Sequence, residues 1–417
     1  MVQLQLSRKR SNYRILVIFV LLLCPIASVP LIISGILNKR HELLPLLSFV
    51  MATLAILSPP FADLYRHALN FQYYKHSSVP ISSIFMQKDY VLDLLEYYFA
   101  KWNFNFEFIR GLFVFVCYQI AFALYKELFK YVPALSYSKK YRCIVFLSVF
   151  FLVPFIWIVN GLRSATSSYL LVYSWLSLYN GKRIKCWLFA LLGVFTHFFG
   201  FVFIPVIILF HFRKYRIGYF TYVIGAIVLF LLGKAIFSNL LDSISEETLS
   251  SVGVTSQNRD YYAGTDEEGA LTYSGLSFNG FIAMFMERSP LFYIFFTTIK
   301  SRCRNYDKDD LFMIRVLFLL WIFISSSWIP FQRISWLISP IVMFLFIKNM
   351  KFSEQHIRTR LLLLFTIIGQ IAYIYGYRMV FFNTPFYLIS LPLYFPVFHS
   401  YPGSFYIADD APIRFLQ

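Results

Sequence analysis

The feature that most restricts the fold of this chain is a succession of apolar stretches, most of them close to the length of a bilayer crossing. They lie at about 15–37, 43–61, 106–128, 143–160, 164–180, 186–210, 217–237, 279–299, 311–329, 334–348, 361–377 and 380–398. Segments in hydrocarbon must satisfy their own backbone hydrogen bonds, so such stretches form helices. The pattern predicts an all-α polytopic integral membrane protein, a single transmembrane domain over 1–417 with about 11–13 transmembrane helices.

Charged residues are scarce and lie mostly in short clusters between the apolar stretches. They make up 14% of the chain, against about 25% in soluble domains, and the formal net charge is +17. Basic linkers concentrate on the cytoplasmic side of membrane proteins, which explains the charge without nucleic acid. No soluble stretch is long enough for a nucleic-acid recognition module. The linkers expected in the cytoplasm are 130–142, 181–185, 211–216, 300–310 and 348–360.

This placement puts two longer segments on the extracytoplasmic side of the membrane. They are the loop at 62–105 and the loop at 238–278, which has seven acidic residues against the single basic residue Arg259. It also puts both ends of 186–210 in the cytoplasm, although 25 residues are too few for two full crossings of about 20 residues each. We therefore expect a short or broken helix pair at 186–210, with its turn near His197.

The first apolar stretch leaves two arrangements open. Basic residues precede it, at Arg8, Lys9, Arg10 and Arg14, and follow it, at Lys39-Arg40. Either prolines within the stretch break it into a hairpin, or the charge bias is violated there.

The predicted topology brings polar residues from distant parts of the chain to the outer side. Arg163 and Arg333 are each expected in a tight turn between two apolar stretches, His197 at the tip of the broken pair, and Asp63 at the end of the second stretch. Ionisable residues within membrane segments are costly and are functional candidates by default. Arginine suits a multidentate grip on phosphate oxygens, so the cluster predicts a site for a lipid diphosphate.

Arg288 lies beside Glu287 inside the stretch 279–299. It is either the buried partner of that glutamate or a further diphosphate ligand.

Other catalytic patterns are absent from the sequence. It contains no HExxH, P-loop or GxSxG motif, and its five cysteines show no CxxC pairing. We therefore expect no cofactor and no metal, and the absence of a nucleotide-binding pattern argues against a nucleotide-sugar substrate.

Several segments together form a pattern. They are Asn160-Gly161-Leu162-Arg163 with the basic linker 181–185 and Thr196-His197, PPFADLYRHALNFQYY (59–74), DYVLDLLEYYFAKWNFNFEFIRGLFVF (89–115) and IPFQRISWLISPIVMFLF (329–346). In these segments the chain resembles the EpsG-like and Wzy-type polysaccharide polymerases. The sequence departs from the family pattern at Ser164, Phe198 and Phe199. The departures beside His197 bear on its detailed role.

The resemblance implies glycosyl transfer of the GT-C-like kind on undecaprenyl-diphosphate-linked oligosaccharides at the outer face of a bacterial plasma membrane. Arg163 and Arg333 would neutralise the leaving diphosphate, and either His197 or Asp63 would accept the proton of the acceptor hydroxyl, with His197 preferred. Residues expected to contact substrate are Tyr65, Arg66, Arg259 and Tyr262.

Three functions remain open from the sequence. A polymerase of O-antigen or capsule repeat units is preferred. An O-antigen ligase would use the same donor, and a flippase for lipid-linked oligosaccharides would place its charges at several depths. The expected partners are the lipid-linked oligosaccharide, membrane lipids, a chain-length regulator and a flippase of the same pathway, and no nucleic acid.

Overall fold

A computed structural model of the chain describes residues 2–60, 63–86, 90–211, 218–242, 282, 285–300, 306–325, 328–350, 356–376 and 382–399. Within these ranges the regular elements are α-helices and 3-10 turns, with no strand. The 3-10 turns are His41–Leu43, Ile81–Met86, Phe198–Phe203 and Phe386–Ser390.

The helices are numbered here in chain order. They are α1 Val2–Leu23, α2 Pro25–Leu37, α3 Leu44–Leu57, α4 Asp63–His76, α5 Tyr90–Lys101, α6 Phe106–Tyr131, α7 Ala134–Tyr137, α8 Lys139–Leu152, α9 Phe155–Asn160, α10 Leu162–Tyr179, α11 Arg183–Thr196, α12 Ile204–His211, α13 Tyr219–Asp242, α14 Ser289–Lys300, α15 Lys308–Ile324, α16 Trp328–Lys348, α17 His356–Gly376 and α18 Tyr394–Val397.

Four helical segments in the described ranges are long and apolar enough to cross a membrane. They are Phe106–Tyr131, Lys139–Asn160, Phe331–Lys348 and Ile357–Tyr375. Shorter apolar helices occupy Ser11–Leu23, Pro25–Leu37, His41–Leu57, Phe198–His211 and Thr221–Leu232. The predicted class, an all-α polytopic membrane protein, is confirmed. The count of 11–13 spans stays a prediction, because several of the apolar stretches form pairs of shorter helices.

The first apolar stretch is one of these pairs. Cys24 has extended backbone (φ −158°, ψ 91°), and α2 begins at Pro25, a residue suited to the first turn of a helix because it has no N–H to satisfy. The Tyr13 hydroxyl donates a hydrogen bond of 2.7 Å to the Leu31 carbonyl. The Arg40 guanidinium lies 3.9 Å from the centre of the Tyr13 ring. The stretch therefore folds back as a hairpin, with its two basic flanks at the same end.

Two buried arginines bind the ends of other helices. Arg110 of α6 donates to the carbonyl of Ser58 and, at 3.0 Å, to that of Ile56, at the end of α3. Arg142 of α8 donates to the carbonyl of Leu37 at 2.7 Å, at the end of α2. The last carbonyls of a helix have no hydrogen-bond partner within the helix and form its negative end. A guanidinium supplies both N–H donors for these carbonyls and a compensating positive charge. These contacts fix α3 to α6 and α2 to α8.

Helix α10 lies at the centre of the packing and contacts α6, α9, α11 and α16. Its Trp175 side chain is fully buried. At the predicted cytoplasmic end, the Tyr179 hydroxyl donates to Asp310 Oδ1 at 3.1 Å, and Lys348 Nζ lies 2.7 Å from Asp310 Oδ2. These contacts join α10, α15 and α16 through the buried Asp310.

The predicted turn before Arg333 is wrong. Helix α16 already begins at Trp328, so Arg333 lies on a helix rather than in a turn. A proline interrupts a helix where its missing N–H would be needed for a backbone hydrogen bond. Pro330 falls in the first turn, where no such bond is made.

The predicted span at 380–398 is also wrong over its described residues. It consists of the 3-10 turn Phe386–Ser390 and the short helix α18. Prolines at 385, 392 and 396 prevent a continuous helix in this segment.

The two predicted outer loops differ in how much of them the structure describes. The segment 62–105 contains α4, a 3-10 turn and α5. Helix α13 extends to Asp242, which is five residues into the predicted 238–278 loop, and the rest of that loop lies outside the described residues.

Substitution of Arg110 tests the contacts at the end of α3. Arg110→Met should lower the melting temperature of the purified protein in detergent, because the carbonyls of Ile56 and Ser58 lose a charged donor, worth about 1.5–3 kcal/mol per hydrogen bond. Differential scanning fluorimetry measures the change. The exposed Lys182→Met is the control and should leave the melting temperature unchanged. Equal melting temperatures for both variants would contradict the capping role.

Candidate functional site

The apolar segment 186–210 is broken at the predicted position. Helix α11 ends at Thr196, His197 has extended backbone (φ −156°, ψ 123°), and the chain continues as a 3-10 turn and α12. Backbone groups next to the break form hydrogen bonds with each other. The His197 N–H donates to the Gly193 carbonyl at 3.1 Å, and the Gly200 N–H donates to the His197 carbonyl at 2.9 Å.

Contacts with α10 show that the chain reverses at this break. A Cβ at Gly193 would lie 3.2 Å from the Ser167 carbonyl oxygen, and one at Gly200 would lie 3.1 Å from the Ser167 Oγ. Beyond the break the chain returns, because the Phe210 ring stacks on Tyr179 at the far end of α10 with ring centres 6.1 Å apart. The segment is therefore a hairpin, seated on α10 through two glycines.

His197 at the tip contacts two hydrogen-bond donors. Its Nδ1 is 3.4 Å from the Phe199 backbone N–H donor, and its Nε2 is 3.2 Å from Arg333 Nη1. The residue is buried, with 5% exposure. A neutral imidazole has one acceptor nitrogen, so it can accept from only one of these donors and its remaining nitrogen carries a proton itself. The surroundings of His197 are therefore rich in N–H groups, which suits an anionic oxygen.

Two arginines that the sequence predicted for the site lie close to His197. Arg333 approaches from α16, and its guanidinium also lies 5.8 Å from the centre of the Phe199 ring. Arg163, which was expected within a tight turn, lies instead in the first turn of α10, which begins directly after Gly161, and its charge acts on His197. The structure thus brings together Arg163, His197 and Arg333, which we call the basic cluster.

Arg288 also contacts helix α16, but through residues other than those of the basic cluster. Its Nη1 is 3.6 Å from Glu287 Oε2, its Nε donates to Ser335 Oγ at 3.3 Å, and its guanidinium lies 4.8 Å from the centre of the Phe331 ring. The buried pair with Glu287, one of the two arrangements left open by the sequence, is therefore present. A role in diphosphate binding stays a prediction.

The remaining predicted residues are described in part or not at all. Asp63 is the first residue of α4, and its side chain is not described. Tyr65 is half-buried and Arg66 exposed in the same helix. Arg259 and Tyr262 lie outside the described residues. Their roles stay predictions.

A second cluster was missed by the sequence reasoning. His67 of α4 and Asp93 and Glu96 of α5 are buried, with 5%, 4% and 0% exposure, and His67 Nδ1 lies 2.8 Å from Glu96 Oε1. We call these three residues the acidic cluster. Asp93 and Glu96 are three residues apart on a helix, a spacing that places both on one face, so their shared face was readable from the sequence. Their pairing with His67 depends on how α4 packs against α5.

The acidic cluster lies beside the basic cluster. Helix α5 packs against α11, α4 packs against α9, and the charge of Arg163 acts on Glu96. Burial raises the pKa of the Glu96 carboxyl to about 7, while the hydrogen bond and charge of His67 act in the opposite direction. Glu96 belongs to α5, outside the membrane-spanning helices. One end of the bundle thus holds buried carboxyl groups close to the half-buried arginines of the basic cluster.

The acidic cluster also has a spacing compatible with cation binding. Ligand atoms of its three residues all lie within 4.8 Å of one another. His67 and Glu96 are nevertheless already at hydrogen-bond distance, so an imidazole–carboxylate pair explains their contact without an ion.

A separate cavity lies at the predicted cytoplasmic end. Its volume is about 470 Å³, and its lining includes the lysines Lys126, Lys182 and Lys185 and the glutamates Glu42 and Glu127. Its charged lining is therefore mixed, with one more lysine than glutamate.

The fold and the two clusters define a polytopic α-helical membrane protein with a buried charged site at one end of its bundle. Comparison with protein families identifies it further. The model of the EpsG family matches residues 43–389, most of the chain, and the chain belongs to this family. No curated protein and no solved structure matches it.

The seating of the hairpin on α10 can be tested by disulfide formation. Ser167→Cys combined with Gly200→Cys, in a background without the five native cysteines, should form a bond under mild oxidation. A Cβ at position 200 lies within reach of the residue 167 side chain. After cleavage at a protease site inserted at Gly181, the two fragments should migrate together on a non-reducing gel.

The control pair is Ser167→Cys with Phe210→Cys. These positions lie at opposite ends of the hairpin and should form no bond, so the fragments should separate. Separated fragments from the 167–200 pair would contradict the hairpin.

Proposed function

We propose that the protein is a polysaccharide polymerase that joins undecaprenyl-diphosphate-linked oligosaccharide repeat units, of O-antigen or capsule, at the outer face of a bacterial inner membrane. The observation that carries the proposal is the 3.2 Å contact between Arg333 and His197 with Arg163 in electrostatic range. Membership of the EpsG family supports a polymerase of this kind.

The basic cluster suits the donor half of the reaction. A hydroxyl oxygen of one lipid-linked unit bonds to the anomeric carbon of the growing chain, while the bond from that carbon to the diphosphate oxygen breaks. Undecaprenyl diphosphate leaves with the electron pair, and the hydroxyl proton passes to a base. Negative charge increases on the leaving oxygen, and fixed donors at that point lower the barrier.

Arginine is the suitable side chain for this task. A guanidinium stays charged in a partly dry site and presents several N–H groups to phosphate oxygens. Arg163 and Arg333 come from α10 and α16, two helices that pack against each other, so their separation is fixed by the core. We propose that they hold the diphosphate without a metal or nucleotide cofactor, and that the N–H of His197 adds a further contact.

The two alternatives predict different polysaccharide phenotypes. An O-antigen ligase would use the same basic cluster with a lipid A-core acceptor, and a flippase would move the lipid-linked unit without forming a bond. The basic and acidic clusters lie beside each other at one end of the bundle, which favours an enzyme over a translocation path lined with such clusters at several depths.

Deletion of the gene separates these functions. Gel analysis of surface polysaccharide should show a core that bears a single repeat unit, because one unit can still be ligated when polymerisation is lost. Loss of every repeat unit would refute the polymerase and favour ligase or flippase.

Single substitutions test the basic cluster in the same assay. Arg163→Ala and Arg333→Ala should each reproduce the single-unit pattern while immunoblots show normal protein in the membrane. The control is Arg360→Ala, an exposed arginine at the start of α17, which should leave the ladder unchanged. Normal ladders from the first two variants would remove these residues from the mechanism.

A further inference from the structure

The two buried histidines of the site have opposite surroundings. His197 contacts Arg333 and the Phe199 N–H, whereas His67 contacts the Glu96 carboxylate. A proton that arrives on an imidazole is stabilised by a neighbouring carboxylate and opposed by a neighbouring guanidinium. His67 is therefore the better placed of the two to become positively charged.

The contact between His67 and Glu96 favours one tautomer of the ring. When Glu96 is ionised it can only accept, so the tautomer that suits the 2.8 Å contact has its proton on Nδ1 and its lone pair on Nε2. A carboxylate that binds one imidazole nitrogen in this way orients the other for proton transfer. Both residues are buried, and the ring nitrogens of His67 have no exposed surface, so an acceptor hydroxyl reaches the imidazole only from inside the bundle.

The position of the pair relative to the basic cluster fits the two halves of a transfer reaction. The charged groups that act on Glu96 are His67 from α4, Asp93 from α5 itself and Arg163 from α10. Arg163, a member of the basic cluster, thus also acts on the acidic cluster. The donor diphosphate is assigned to the His197 side of Arg163. The acceptor hydroxyl would then lie towards His67.

Resting on the proposed function, we propose that His67 accepts the proton of the attacking sugar hydroxyl and that Glu96 is its positioning residue. The O–H bond breaks as the oxygen bonds to the anomeric carbon, and the proton moves to His67 Nε2. Glu96 stabilises the imidazolium until the proton is released to water. This assigns the base to the acidic cluster instead of to His197 or Asp63.

The test uses the full-length protein in nanodiscs with lipid-linked repeat units as substrate. His67→Gln should lower kcat by about 100-fold or more, in line with the contribution of general base catalysis, with an unchanged KM for the donor. The isosteric Glu96→Gln should lower kcat by a smaller factor. The control, His76→Gln, changes an exposed histidine of the same helix and should retain full activity.

The pH profile gives a second readout. Protonation of the Glu96 carboxyl, whose pKa burial raises to about 7, removes the charge that supports His67. For the wild type, kcat/KM should therefore fall as the pH drops below about 7, and in Glu96→Gln the fall should move to lower pH, because His67 without the carboxylate is a weaker base. Added imidazole should restore part of the activity of His67→Ala, which a merely structural role would not allow.

The outcomes separate the two proposals. If the wild type forms no polymer, the proposed function fails. If it forms polymer and His67→Gln is as active as His76→Gln, or if imidazole restores nothing to His67→Ala, the base assignment fails. If EDTA abolishes wild-type activity, Mn²⁺ restores it and Glu96→Gln no longer binds Mn²⁺, the acidic cluster holds a cation and the base assignment also fails.

Discussion

The site depends on one constraint, which is that a helix broken inside a membrane protein must have its backbone groups satisfied by protein. At His197 this is achieved locally, by N–H groups that bond to carbonyls of Gly193 and His197 itself. The glycines at 193 and 200 let the hairpin backbone lie directly on α10, since a Cβ at either position would approach Ser167 closely. A break that is packed in this way places a polar side chain at a fixed depth, and the basic cluster follows from it.

Arginines serve two different purposes in this bundle. Arg110 and Arg142 end on backbone carbonyls at helix ends, where their charge is neutralised by the helix terminus. Arg163 and Arg333 instead lie beside an imidazole and a second positive charge. Two guanidinium groups beside one imidazole suit the binding of an anion, whereas Arg110 and Arg142 serve backbone carbonyls. Placing carboxylates directly beyond Arg163 gives the same site a region suited to proton transfer.

The parts predicted from the sequence are those that follow from membrane physics. The broken pair at 186–210 follows from the length of the segment and the charge of its flanks. The proximity of Arg163, His197 and Arg333 follows from the membrane topology that this break implies. The turn expected before Arg333 is replaced by the first turn of α16, which accommodates Pro330 because no backbone hydrogen bond is made at that position. The contact between His67 and Glu96 could not be predicted, because it arises from the packing of α4 on α5. The hydrophobic periodicity of the sequence does not show how two helices pack.

The most direct measurement is a cryo-EM structure of the protein in nanodiscs with undecaprenyl diphosphate bound. The diphosphate density should lie within hydrogen-bond distance of the Arg163 and Arg333 guanidinium groups, next to the His197 imidazole. Diphosphate density elsewhere, above all in the cavity lined by Lys126, Lys182 and Lys185, with the basic cluster empty, would contradict the assignment of the donor site.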